Sequence, residues 1–319
     1  MSFFAIFLAL LLEQARPLSR DNTAHRMATA WRRWVRRSLD AGQAPHGWMA
    51  WCAAALVPAL LAALVHWLLL PFSDLLVFAW TVGVLYLTLG FRQFSHYFTA
   101  IRQALESNDE VTARAQLAEW QQVEVGELPR QELLRHVIEH SALAAHHHVF
   151  GVLFAYSVFA ALGFGPAGAV LYRMAESLAR RWQPRLQDAP SSAVQQAAAQ
   201  GWRWIDHVPA RATALAFAVV GNFEEAIAAW RSDATRAAQS NDGIVLAATA
   251  GAINVRLGGL GLGAHPGASE AGGPELSNVW SEGREPQNAH LTSLVGLVWR
   301  SVVLWLLLLA LMTLARSVG

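Results

Sequence analysis

His136, Glu139 and His140 form an H-x-x-E-H pattern, and residues four apart on a helix lie on one face. Two histidines so placed can ligate one zinc ion while a neighbouring glutamate serves as general base, the arrangement of inverted zinc peptidases. A third ligand is required, and Glu176, Glu224 and Glu225 follow without a motif that selects one of them. In a chain with 12 histidines so short a pattern recurs by chance, and an amphipathic helix that carries two of them is the favoured reading. His146, His147 and His148 are consecutive, so on a helix only one or two could reach the same ion. They read as polar residues at a membrane boundary. Asp206, His207 and Arg211 bring an acid, a base and a cation close together, which suits anion binding or proton transfer.

Five ionisable residues flank the segments read below as embedded or broken: Glu139, Arg173, Glu176, Asp206 and Arg211. They are expected to form a ligand-binding mouth on the cytoplasmic side. Buried arginines need anionic partners. Either the three acids neutralise Arg173 and Arg211, or one arginine is left to take up a phosphate or carboxylate, for which its planar fork is suited. No metal ligand and no catalytic residue is assigned on this basis.

The elements that must position these residues belong to a membrane protein. Of 319 residues, 54% are hydrophobic and only 15% charged, with a net charge of +1, too apolar and too charge-poor for an ordinary soluble domain. Every basic residue in the Lys-plus-Arg count is arginine, which excludes a P-loop, a Schiff-base lysine and a Ser-Lys pair. The single Cys52 excludes an intramolecular disulfide and a cysteine-based zinc site. The near-neutral balance argues against nucleic acid as a partner. The expected partners are the lipid bilayer and an anionic small molecule, with homo-oligomers permitted by small residues over 244–257.

The pattern predicts an all-α, polytopic integral membrane protein with broken or re-entrant helices and cytoplasmic helical loops, the whole of 1–319 forming a single membrane domain. Residues 3–12 are apolar but too short for a full span, and no cleavage pattern follows them. Residues 48–70 are uncharged, long enough to cross and bounded by Trp48, Trp51 and Trp67. Residues 75–91 return as the second arm of a hairpin. Residues 149–172 are interrupted by Gly163, Gly165, Pro166 and Gly168 and are followed by Arg173, Arg180, Arg181 and Arg185. Arginine bias favours a broken pair turning at the Gly-Pro-Ala-Gly stretch with both flanks in the cytoplasm. Helical cytoplasmic regions are expected at 13–47, 92–148 and 173–211, a short apolar helix at 212–220 behind Pro209, a flexible Gly- and Pro-rich loop at 258–290, and a terminal span at 291–315.

Several ordered motifs carry a resemblance: Ala104 to Arg114, Glu139, Pro166 to Arg173, Val208 to Arg211, Trp230 to Ala234 and Ser240 to Gly259. Together they resemble the integral membrane family that holds the cobalamin-biosynthesis proteins CobD and CbiB and the β-lactamase regulatory protein AmpE. For the biosynthetic members the resemblance implies an amide-forming enzyme that joins aminopropanol or its phosphate to adenosylcobyric acid, with ATP and Mg²⁺ as cofactors. The departures concern acids. The E-N-x-x-D-G of biosynthetic members reads as SALAAHHHVFG over 141–151, their N-T-x-D-S-M becomes ESLARR over 176–181, and paired aspartates before P-A-R fall near Trp202 and Arg203. Mg²⁺ needs oxygen ligands, so these losses point away from catalysis. The short apolar opening, the glutamate and the Arg-rich helix after it are similar to AmpE. The leading expectation is therefore a diverged, AmpE-like signalling or ligand-binding component of the bacterial inner membrane, with cobinamide synthesis as the alternative.

Overall fold

The computed structural model describes residues 2–15, 22–121, 129–183, 190–236, 240–258 and 283–318. Among those residues the regular structure is all helix, apart from one isolated bridge between Val255 and Arg284. The helices are α1 (Ser2–Ala15), α2 (Thr23–Leu39), α3 (Ala44–Leu69), α4 (Asp74–Thr88), α5 (Phe91–Glu106), α6 (Glu110–Gln121), α7 (Arg130–Ala145), α8 (Gly151–Ala161), α9 (Ala167–Arg181), α10 (Ser192–Val220), α11 (Phe223–Arg236), α12 (Asn241–Ile253) and α13 (Asn288–Val318). Three stretches are long and apolar enough to cross a membrane: Ala44–Leu69, Arg130–Ala161 and Asn288–Ala315. α1, α4 and α12 are shorter apolar helices. The contacts divide the chain into two compact units, one of residues 1–91, 147–209 and 308–319, the other of 92–146 and 210–307.

In the first unit, α3 and α4 form the expected hairpin, with Ser73 capping α4 through its hydroxyl, which accepts from the Leu75 amide. The interrupted run 149–172 is a second hairpin, α8 and α9. Its turn falls at residues 162–166, where Gly163 (φ +84°) and Gly165 (φ +56°) take left-handed conformations that a side chain would resist. The arms touch closely because Gly168 has no side chain: a Cβ there would lie 2.2 Å from the Ala155 carbonyl oxygen. This turn lies against the far end of α3, since Trp67 donates its indole N–H to the Gly163 carbonyl at 2.8 Å. At the other end, Met174, Ala175 and Leu178 of α9 share a core with Ala50, Trp51 and Ala54 of α3, Val35 of α2 and Val194 and Ala197 of α10. The α8–α9 pair thus runs along α3 from Trp51 to Trp67, and both of its flanks emerge at one end.

In the second unit, α11 and α12 pack most closely, through glycine. A Cβ on Gly251 would lie 2.3 Å from the Glu225 carbonyl oxygen, and one on Gly221 would lie 2.6 Å from the Ala252 Cβ. The small-residue face of α12 that could have served a second copy therefore serves α11. Ser240 caps α12 by accepting from the Gly243 amide, and Asn254 closes it in the left-handed region at φ 51°. Asn108 (φ 58°) turns the chain between α5 and α6.

Two element expectations are corrected. The apolar stretch 212–220 is not a separate helix, because α10 runs through Pro209 from Ser192 to Val220; a proline removes one backbone donor, and the surrounding turns hold the helix across that loss. The run 149–172 does not begin an element, because α7 continues through a π-helical turn at His146–Phe150 into α8. The apolar stretch able to cross thus starts at Arg130, inside the region expected to be a polar cytoplasmic segment. The expected terminal span is α13, which begins at Asn288. Of the loop expected at 258–290, residues 259–282 lie outside the described residues, and Arg284 is held by its bridge to Val255.

Candidate functional site

In the first unit the site is built on α9. Arg173, Glu176 and Arg180 follow at i, i+3 and i+7, which brings them onto one helix face. Glu176 is 4% exposed, and its two carboxylate oxygens each accept from a guanidinium at 3.0 Å, Oε2 from Arg173 and Oε1 from Arg180. Burial alone would raise this carboxyl, yet the adjacent Arg173 and Arg180 outweigh it and hold it at about 2. Arg173 also meets His148 Nδ1 at 2.6 Å; a guanidinium can only donate, so this nitrogen accepts. Arg32 reaches the same region from α2 and donates to Ser177 and to Thr29. Burial first, and the nearby Arg181 next, lower Arg32 to about 10, which leaves it charged at neutral pH. Two guanidiniums thus bind one carboxylate directly, and a third, that of Arg32, lies close enough to feel its charge.

One turn before Glu176, Tyr172 is fully buried and donates its hydroxyl to Asp206 Oδ1 at 2.7 Å, tying α9 to α10. Trp202 lies edge-on to both Tyr172 (5.1 Å) and His147 (5.4 Å). His147 and Asp206 offer ligand or proton-transfer atoms within 4.8 Å of each other. The α8–α9 packing makes room for this arrangement at Gly151, where a Cβ would overlap the Tyr172 hydroxyl at 2.0 Å.

The second unit holds the other two expected residues. Glu139 on α7 accepts from the Gly258 amide at 2.7 Å, and Arg135, one turn earlier, donates to the Gly258 carbonyl. Together they clamp both polar groups of one residue at the end of the segment that follows α12. Arg211 on α10 reaches Asn241 Oδ1 at the start of α12, at 3.4 Å. The motif around Arg211 and the motif beginning at Ser240 therefore meet in the fold, as do Glu139 and the end of that second motif.

Of the five residues expected to form one mouth, Arg173, Glu176 and Asp206 lie in the first unit, Arg173 and Glu176 in direct contact and Asp206 bonded to the residue before Arg173. Glu139 and Arg211 lie in the second unit. Sequence reasoning missed Tyr172, Trp202, Arg32 and Arg135. Arg180 was legible as the i+4 partner of Glu176, whereas Tyr172 and Trp202 carried no signal beyond aromatic type. The zinc pattern gathers no ligand set. His140 packs edge-on against Trp120 at 4.3 Å, His136 lies 3.7 Å from Glu139, and among the described residues no group of three ligands includes either histidine.

Mg²⁺ calls for several oxygen ligands. Both Glu176 oxygens are taken by arginines and Asp206 Oδ1 by Tyr172, while the neighbour of Asp206 is an imidazole. The residues of the first unit do not fit Mg²⁺, and no step is derived through it.

No solved structure matches this chain. Among curated proteins, it is 32% identical over 313 residues to the cobalamin biosynthesis protein CobD of Stutzerimonas stutzeri, covering 96% of each chain. It is 30% identical over 262 residues to that of Chromobacterium violaceum, covering 79% of this chain and 77% of the relative. A 61-residue stretch is 49% identical to that of Mycobacterium tuberculosis, covering 18% of this chain and 20% of the relative. All three carry the cobalamin name, so the expectation of an AmpE-like protein gains no support and its alternative fits better. The model of the family described as CobD/Cbib protein matches residues 4–277, and the chain belongs to that family.

Proposed function

We propose that this chain is a cobalamin-biosynthetic amide synthase of the bacterial inner membrane, joining an aminopropanol or its phosphate to a carboxylate of a corrinoid acid. The observation that carries the reading is the near end-to-end match to a relative named for cobalamin biosynthesis. The loss of acids at three motifs, which favoured a signalling role, has less weight beside that match.

Amide formation from a carboxylate and an amine expels water and needs the carboxylate activated, the contribution that ATP makes in this reading. The chain's own residues do two things. Arg173, with Arg32 and Arg180 around a single carboxylate, leaves positive charge in excess and holds an anionic group of the substrate, a phosphate or a carboxylate. Asp206, oriented by Tyr172 and within 4.8 Å of His147, takes up through that imidazole the proton that the attacking ammonium must lose. Glu139 and Arg211 position the segments on either side of α12.

The test is genetic. The gene is expressed in a strain that lacks its own cobinamide synthase and grows only with cobalamin or supplied cobinamide. Growth without cobinamide is expected, with R173A abolishing it. Failure of a membrane-inserted, well-expressed wild-type protein to restore growth would overturn the reading.

A further inference from the structure

α2 carries five arginines and no acidic residue between Thr23 and Leu39. One side of it is committed to the fold: Arg32 is 5% exposed, and Val35, Ala28, Trp31 and Leu39 join the core shared with α3 and α9. The other side is unpartnered. Arg26, Arg33 and Arg37 are exposed, and at 3.6 residues per turn they fall within about 40° of one another around the helix axis. None of the three has a carboxylate partner among the described residues. Along one flank of this row, Met27 is 68% and Trp34 58% exposed.

Solvation explains exposed arginines but not a tryptophan and a methionine beside them, about two turns from each other on the same helix face. A row of guanidiniums bordered by an apolar strip with tryptophan is the pattern of a helix lying in a membrane–water interface. The location agrees. Only residues 40–43 separate α2 from α3, which is long and apolar enough to cross a membrane. α2 packs on the first turns of α3, around Ala50 and Trp51. There Trp48 stacks at 5.1 Å on Trp204, which is 63% exposed. Indole rings at that level belong to the headgroup layer.

We propose that the outer face of α2 is a binding site for anionic phospholipids, with Arg26, Arg33 and Arg37 on the headgroup phosphates and Met27 and Trp34 seated among the upper acyl carbons. Guanidinium forks match phosphate oxygens geometrically. The absence of any acid on α2 makes the face selective for lipids with net negative charge over zwitterionic ones. The proposal is independent of the reaction assigned above.

The full-length protein, purified in mild detergent, is titrated with dioleoylphosphatidylglycerol or dioleoylphosphatidylcholine, and bound lipid is counted by native mass spectrometry. Phosphatidylglycerol is expected to bind preferentially. The R26Q/R33Q/R37Q variant should lose about fivefold in that affinity per arginine, roughly a hundredfold in all. R26K/R33K/R37K should keep most of the preference, and M27A/W34A should weaken both lipids alike. Equal binding of the two lipids by the wild type overturns the proposal without recourse to any variant. So does a glutamine variant that folds and still binds phosphatidylglycerol as the wild type does. A glutamine variant that loses only a dimer mass would make a second copy the occupant and equally overturn it.

Discussion

The hydroxyl of Tyr172 donates to Asp206 Oδ1 at 2.7 Å, and both residues are sealed from solvent, at 0% exposure each. A buried carboxylate stripped of a donor carries its desolvation cost uncompensated. Y172F is therefore expected to lower stability by about 1–3 kcal/mol in thermal unfolding of the detergent-solubilised protein. D206N, which can still accept from Tyr172, should cost less than Y172F while reducing cobinamide formation at least as much. If D206N sustains wild-type cobinamide formation, Asp206 has no part in proton transfer.

Glu176 sits between Arg173 and Arg180, and its carboxyl lies at about 2 against an ordinary 4.5. A group whose folded value is depressed stabilises the fold above its unfolded value and loses that contribution as pH falls through the folded one. Stability attributable to Glu176 should thus be complete above pH 4.5 and fall away between pH 4.5 and about 2. E176Q should flatten the unfolding midpoint over that acid window relative to wild type. At neutral pH the same variant should be less stable by about 1–3 kcal/mol, the half-exposed Arg180 softening the full cost of breaking a buried pair.

Gly168 and Gly251 occupy contacts where backbone meets backbone. A Cβ at Gly168 would stand 2.2 Å from the Ala155 oxygen and one at Gly251 2.3 Å from the Glu225 oxygen. Neither neighbour is a side-chain tip that can swing aside. G168A and G251A are each expected to destabilise by about 1–3 kcal/mol, whereas G83A, which meets nothing within 4 Å, should be near neutral. Unfolding midpoints of the three variants check the ranking.

Topology follows from two contacts at opposite ends of α3. The Ser191 amide donates to Asp40 at 2.9 Å, and Trp67 donates to Gly163 at 2.8 Å. Cysteine labels at Gly42 and Ser191 in a C52S background are expected to react from one side of the membrane, and labels at Phe72 and Gly163 from the other. A label at Gly163 that reacts from the same side as Ser191 would contradict a crossing α8–α9 hairpin.

The amino-acid sequence by itself determined that this is a helical membrane protein, because an uncharged 48–70 bounded by tryptophans has few other ways to bury its apolar side chains or satisfy its backbone. It determined the α3–α4 hairpin and the break at Gly163–Pro166, since backbone-specific residues announce turns locally. It also yielded the Arg173–Glu176–Arg180 ladder, whose spacing is helical arithmetic. Other features became visible only in the tertiary structure. Pro209 reads locally as a boundary, but packing on both sides carries α10 through it. His146–Phe150 gives no local sign of a π-turn joining two helices. The meetings of Tyr172 with Asp206, of Glu139 with Gly258 and of Arg211 with Asn241 join residues 30 to 119 positions apart, and no periodicity reaches that far. The motifs that marked the family show why. Ser240, Asn254, Gly251 and Asn108 cap, turn and pack helices, so a motif read as a site in the sequence is in large part the scaffold that brings distant charges together.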